Sequence, residues 1–387
     1  MPARNVWWTR REVSPLELFF DLVFVLAVGQ LAHHLLGHLS WTGVAETLIA
    51  LVAVCGVWAF TSFEATMLDV ERGSTRATII AVMALGLFMN AGVSGAFEEQ
   101  PWLFVVPMML ALAGPGAYAA ATAPTPELRG HFRRVLGWLA VSVPFWIVGA
   151  ALSPEARIWL WAVAALVDLT GTWTAHPAPG RALQSARLPF DAEHMIERMR
   201  LFLIILLGET VLALGRVLTE HAPDAPSLLM VLGGFAALVC LWAIYFGRTE
   251  QQVVSHASAT EDPIRSVHAG LNAIYGVVAG LVAFAAGIEL ALAHGPGHPA
   301  GTGGVLLLGG PMVYLLAQAW YFRVETGTGW LPRAGGGFVL GAGAVAAYWL
   351  PAWAAVAVLV VILLGLTAYL AHGWTGPRPG TEPAASS

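Results

Sequence analysis

The 387-residue chain is 57% hydrophobic and only 11% charged, with a formal net charge of −5 at pH 7. Soluble domains carry about 25% charged residues, so a surface that faces water all round is excluded and an integral membrane protein is implied. All 19 basic residues are arginine, and the two cysteines, Cys55 and Cys240, lie in apolar runs, which excludes a disulfide framework or a zinc-type cysteine site.

Arg4, Arg10 and Arg11 precede the first apolar run. That run contains Glu17 and Asp21 and no small-residue cleavage site follows, so it reads as a retained span rather than a signal peptide. A span needs about 20 mostly apolar residues. Twelve stretches meet or approach that length: 16–36, 44–66, 76–96, 101–123, 133–152, 156–173, 197–218, 227–247, 268–294, 303–322, 334–350 and 351–372. Pro351 divides the last two, which together are too long for one crossing, so a hairpin is expected. With the N-terminus inside, only Arg157 and Arg216 fall on the outer side, the asymmetry that the positive-inside rule demands. Both termini are therefore expected in the cytoplasm.

The two halves echo each other. Gly29-Gln30 in the first span matches Gly208-Glu209 in the seventh, and LVAVCGVW (51–58) matches FAALVCLW (235–242). FMNAGVSGAF (88–97) resembles FAAGIELAL (284–292), and Pro107 aligns with Pro311. Halves of six spans share one orientation, so the expected fold is all-α and polytopic, with about twelve transmembrane helices as two parallel six-helix repeats. The expected boundaries are a cytoplasmic N-terminus (1–15), a first half (16–173), a cytoplasmic connecting loop (174–196), a second half (197–372) and a disordered tail (373–387) rich in Pro, Gly and Ser.

Ionisable residues inside spans are costly and mark candidate sites. Glu17 and Asp21 are four apart and share a helix face. Such a pair suits a proton or cation site; the alternative is a solvated Glu17 with Asp21 paired to an arginine for packing. Glu64 and Asp168 descend toward the same leaflet, where an acidic cluster opposite Arg198 or Arg76 can equally be a site or structural glue; the structural reading is favoured for Glu64, and Asp168 is left open. Glu209 lies twelve residues beyond Glu197, roughly 18 Å deeper. That is near the midplane, where binding sites of repeat-built transporters lie. Its counterpart Gln30 is neutral, so the halves are chemically unequal at matching depth. Arg198, Phe202, Ile205, Glu209 and Arg216 form a stripe expected to face the bundle interior, and Glu197-Arg198 an entrance pair.

Other patterns carry less. His33, His34 and His38 end the first span, with His221, His294 and His298 in other outer loops, but no carboxylate or cysteine at ligand spacing joins them, so no metal site is expected. His194-x-x-Glu197-Arg198 lacks the HExxH pattern of a zinc peptidase. Asp191 suits the N-cap of that helix. Trp7, Trp8, Trp41, Trp102 and Trp330 read as an interfacial belt. No phosphate-binding loop, nucleic-acid stripe, cofactor motif or catalytic nucleophile is present.

ELFFDLVFVLAVGQLAHHL (17–35), Trp58, Thr61, Asp69 and Arg76, followed by HMIERMRLFLIILLGETVL (194–212) and the IYG…AAGIE run (274–289), resemble the bacterial low-temperature-requirement protein A family. The resemblance covers most of residues 13–325. Arg200 departs from it, standing where glycine is expected before the Leu-Phe pair. The resemblance implies a multi-pass protein of the bacterial inner membrane, linked by name to growth in the cold, and carries over no reaction or substrate. The leading expectation is a secondary transporter or permease-like protein using intramembrane carboxylates for proton or cation coupling. Its partners would be the lipid bilayer and an unidentified small molecule or ion. The alternative is a non-transporting sensor or assembly protein whose charges are structural; an enzyme is not expected.

Overall fold

The computed structural model describes residues 12–67, 72–177, 190–220, 224–247, 263–293 and 295–372. Asp69, His221, His294, Trp7, Trp8, the arginines before residue 12, most of the connecting loop and the 373–387 tail lie outside the described residues.

Twelve α-helices account for the described chain: α1 (Pro15–Gly37), α2 (Trp41–Met67), α3 (Gly73–Ala91), α4 (Pro101–Thr122), α5 (Pro126–Ala151), α6 (Pro154–Trp173), α7 (Ala192–Glu220), α8 (Ala225–Tyr245), α9 (Pro263–Ala293), α10 (Gly301–Glu325), α11 (Trp330–Ala347) and α12 (Ala352–His372). A helix stands at each of the twelve expected spans. Nine of them are long and apolar enough to cross a membrane, and no strand occurs among the described residues. The chain is thus an all-helical membrane protein.

The helix starts follow from local chemistry. Proline opens α1, α4, α5 and α6, where its missing N–H is no loss. Ser14 and Glu17 form a capping box at α1, Thr125 accepts from Leu128 N at α5, and Asp224 accepts from Ser227 N at α8. Asp191 caps α7 by accepting from His194 N at 3.0 Å, as its spacing predicts. The expected hairpin at Pro351 is present: α11 stops at Ala347 and α12 begins at Ala352. The preceding loop holds the turn, with Ala300 N donating to Leu350 O at 2.8 Å and Ala352 N to His298 O at 2.9 Å.

α1 occupies the centre, packed on α2, α3, α7 and α9. α2 reaches α4, α6 and α9, while α9 lies along α10. That last contact is close because a Cβ at Gly310 would sit 2.5 Å from both Gly280 O and Phe284 N. Large apolar side chains such as Phe19, Leu229, Phe338 and Val361 point outward, which suits lipid. Trp41 and Trp102 are exposed as an interfacial belt requires, whereas Trp58, Trp146 and Trp161 are fully buried. Arg157, an expected outer-side arginine, is buried and structural. It donates to the carbonyls of Gly149, Ala96, Glu98 and Leu152 and so knots two loops together.

Candidate functional site

A seam of charge runs between α1 and α7. Glu17 faces His194, Asp21 faces Arg198 and Gly29 faces Glu209, so the two helices run parallel. At the seam's first end Glu17 Oε1 lies 2.9 Å from His194 Nε2 and 3.9 Å from Arg198 Nη1. Asp21 Oδ1 accepts from Arg198 Nη2 at 2.9 Å and from Trp58 Nε1 at 2.8 Å. Arg198 also donates to Ser62 O at 3.4 Å, and its guanidinium lies 5.6 Å from the Phe20 ring centroid. Phe202, one turn on, stacks on Trp58 at 4.1 Å and closes the network on its far side. Glu17, Asp21, His194, Arg198 and Trp58 are all buried.

The interfacial, solvated Glu17 of the alternative reading is thereby replaced by a capping carboxylate held inside the protein. The expected Glu197-Arg198 entrance pair divides. Arg198 turns inward to α1, while Glu197, one residue earlier and about 100° round the helix, is only half-buried on its flank.

Further along the seam, Glu209 is half-buried and pairs with Arg216 at 3.5 Å. A Cβ at Gly29 would lie 2.5 Å from Glu209 Oε1, so glycine is what lets the carboxylate rest against α1. Gln30 points elsewhere, accepting from Ser94 Oγ at 2.7 Å. The α7 stripe faces the interior at Arg198 and Phe202 but opens outward, ending in an exposed Arg216 one turn from the helix end.

Asp21, Glu64 and Asp168 face different partners, and of the acidic groups set opposite Arg198 or Arg76 only Asp21 meets its arginine, Arg198. Glu64 is buried among α2, α3 and α4 beside Thr61 and Thr75, and Arg76 is exposed. Asp168 accepts from Trp146 Nε1 at 2.8 Å and opens on a cavity of about 70 Å³ between α2, α5, α6 and α9. His131, His176 and His268 share its wall. His176, beyond the end of α6, is held by an unusual turn: Ala175 and His176 have φ of 58° and 52°, and His176 N donates back to Gly171 O at 2.8 Å. Burial, then the fields of His131, His268 and Arg134, push the His176 imidazole down to about 3, so it is neutral at pH 7.

On the opposite face His34 and His38 stack at 4.5 Å. Spacing alone offers them no carboxylate, but the fold supplies two. His34 Nε2 lies 3.1 Å from Glu46 Oε2, and His38 Nε2 lies 3.3 Å from Glu98 Oε1. The hydrogen bond to the His34 carbonyl outweighs partial burial and, with Glu98, holds His38 above the usual imidazole range. His33 is exposed, and no group of three metal-ligating side chains occurs among the described residues.

Trp58, Trp146, His131 and His268 escape sequence reasoning. Trp58 lies in a motif already singled out, but nothing in spacing shows that its indole meets Asp21. A family model described as bacterial low temperature requirement A protein (LtrA) matches residues 12–368. A Rhizobium meliloti (strain 1021) protein named "Uncharacterized protein RA0937" is 32% identical over 340 residues, covering 84% of this chain and 82% of that protein.

Proposed function

The chain belongs to the bacterial low temperature requirement A family, and from its many apolar helices and the charged α1–α7 seam we propose a secondary transporter or permease-like protein. It sits in the bacterial inner membrane with both termini cytoplasmic, as the arginine distribution favours, and performs transport rather than catalysis. The observation that carries the reading is Glu209, a carboxylate fifteen residues and roughly 22 Å along α7 from His194. It is half-buried, kept against α1 by Gly29, and tied to a single half-exposed arginine. Such a group can exchange a proton or cation while the helices beside it move.

Two parallel six-helix repeats would supply that motion. In support, α1 packs on α2 and α3 as α7 packs on α8 and α9, and α2 meets α6 as α8 meets α12. Gly92 approaches the Leu103–Phe104 backbone as Gly287 approaches Leu306 and Leu307. The Glu17–His194 and Asp21–Arg198 contacts then form a lock that opens when the halves rock. In proteoliposomes, Glu209→Gln is expected to abolish pH-dependent flux with its melting temperature unchanged. Flux equal to wild type would sink the role.

A second reading, a sensor or assembly protein without transport, is favoured by the complete burial of Arg198 between two carboxylates. It predicts that seam variants alter thermal stability but leave growth in the cold intact wherever the protein folds.

A further inference from the structure

Asp168 differs from the seam carboxylates in what faces it. Glu17, Asp21 and Glu209 each meet an arginine or histidine. Among the described residues no cation pairs with Asp168, whose hydrogen-bond donors are neutral, the indole of Trp146 and the hydroxyl of Ser142, although the charge of Arg134 is felt at His131 and His176 across the cavity. The carboxylate nonetheless opens on a cavity whose wall includes the imidazoles of His131, His176 and His268 and the hydroxyl of Thr172, which donates to the Asp168 carbonyl at 3.0 Å and keeps its oxygen lone pairs. Phe60 and Phe63 complete the wall with aromatic carbon.

The cavity is built rather than left over. His176 reaches it only because two successive non-glycine residues adopt left-handed backbone. Such conformations cost on the order of 1–3 kcal/mol each and persist where surrounding structure holds them. The hold is visible: His176 N bonds Gly171 O, and Trp138 Nε1 donates to Pro177 O at 2.9 Å. The His176 ring packs on Gly171, where a Cβ would come within 3.1 Å of it.

We propose that this cavity binds a small primary ammonium ion, from ammonium itself to a short alkylammonium, with Asp168 as counter-ion. An R–NH₃⁺ group presents three N–H donors and no acceptor. Asp168, a neutral imidazole and Thr172 supply acceptors, and the Phe60 and Phe63 rings add cation–π attraction. A zinc-type ion fits less well, since it needs ligands converging at about 2.0–2.2 Å, and no group of three His, Cys, Asp or Glu side chains placed to hold one occurs among the described residues. The carboxylate repels anions. Size sets the upper limit: a water needs roughly 10–15 Å³ measured in the same way, so the cavity's approximately 70 Å³ takes a cation of a few heavy atoms. The site stands apart from transport through Glu209, because a sensor would bind the same ion.

Isothermal titration of the full-length protein in detergent with methylammonium chloride, against sodium chloride at equal ionic strength, tests the site. Saturable one-to-one binding is expected for methylammonium alone. Asp168→Asn should weaken it by about tenfold or more, the loss of a charge-assisted hydrogen bond. Gly56→Leu provides a second variant that leaves Asp168 and Trp146 in place. A Cβ at Gly56 meets nothing nearer than Tyr275 Oη at 3.9 Å, so the leucine fills the cavity from α2 and should also remove binding. Absence of saturable heat, undiminished affinity in a folded Asp168→Asn variant, or equal binding of sodium would each overturn the proposal. None of these outcomes bears on proton flux through Glu209.

Discussion

Arg198 carries the greatest energetic consequence of any side chain in the seam. Its guanidinium is 1% exposed and serves Asp21, Glu17 and the Ser62 carbonyl together. Removing one member of a buried ion pair costs about 3–5 kcal/mol, because the other is left charged and unsolvated. Arg198→Met is therefore expected to lower the melting temperature sharply, and Asp21→Asn/Arg198→Met to lose less than the sum of the single changes. Strict additivity in detergent melting curves would show that the pair is not coupled. His176 makes a separate prediction in pH. Its imidazole titrates at about 3 when folded, against an ordinary value near 6.5. A depressed folded value contributes stability above pH 6.5 that is lost as pH falls toward 3, since the unfolded chain then binds the proton more readily. Melting temperature should fall between pH 7 and pH 4, and His176→Phe should flatten that slope. An unchanged slope in the variant would place the histidine in solvent.

At the scale of elements, two glycine contacts that look alike should respond differently. At Gly29 an added Cβ meets the end of the flexible Glu209 side chain. Gly29→Ala is thus expected to leave stability within about 1 kcal/mol while displacing the carboxylate and altering flux as Glu209→Gln does. At Gly310 the added carbon meets the backbone of α9, which cannot step aside. Gly310→Ala should cost about 1–3 kcal/mol or more through overpacking, read as lost expression and a lower melting temperature. Sequence reasoning finds the helices because apolar run length and proline starts are local properties. Partners across elements are not local: Asp21 and Arg198 are 177 residues apart, and the Trp58 donor comes from a third helix. The same limit holds for the partners of Asp21, Glu64 and Asp168, of which only Asp21 meets an arginine expected from the sequence. Depth along a helix puts Asp21, Glu64 and Asp168 at one leaflet, but only packing assigns Asp168 to the α5–α6 side.

Across the whole molecule, the charges that define the candidate site also join its two halves. Arginine asymmetry, internal similarity and the family motifs were all readable in one dimension, and a helix stands at each of the twelve expected spans. What required three dimensions is that, at the seam's first end, α1 supplies the carboxylates and α7 the cations. Neither half can bury its share alone: α1 without α7 leaves Glu17 and Asp21 unpaired in an apolar interior, and α7 without α1 leaves Arg198. A chain divided within the connecting loop, into residues 1–183 and 184–387, should therefore accumulate only when both fragments are co-expressed, and the fragments should co-purify. Losing about 3 kcal/mol from such an interface corresponds to roughly a 100-fold weaker association. Arg198→Met in the second fragment should accordingly abolish co-purification from membranes, whereas Arg323→Met, outside the seam, should not. Fragments that accumulate singly as folded species, or a recovery unaffected by Arg198→Met, would show that apolar packing of α1, α2 and α9 holds the halves together without the charges.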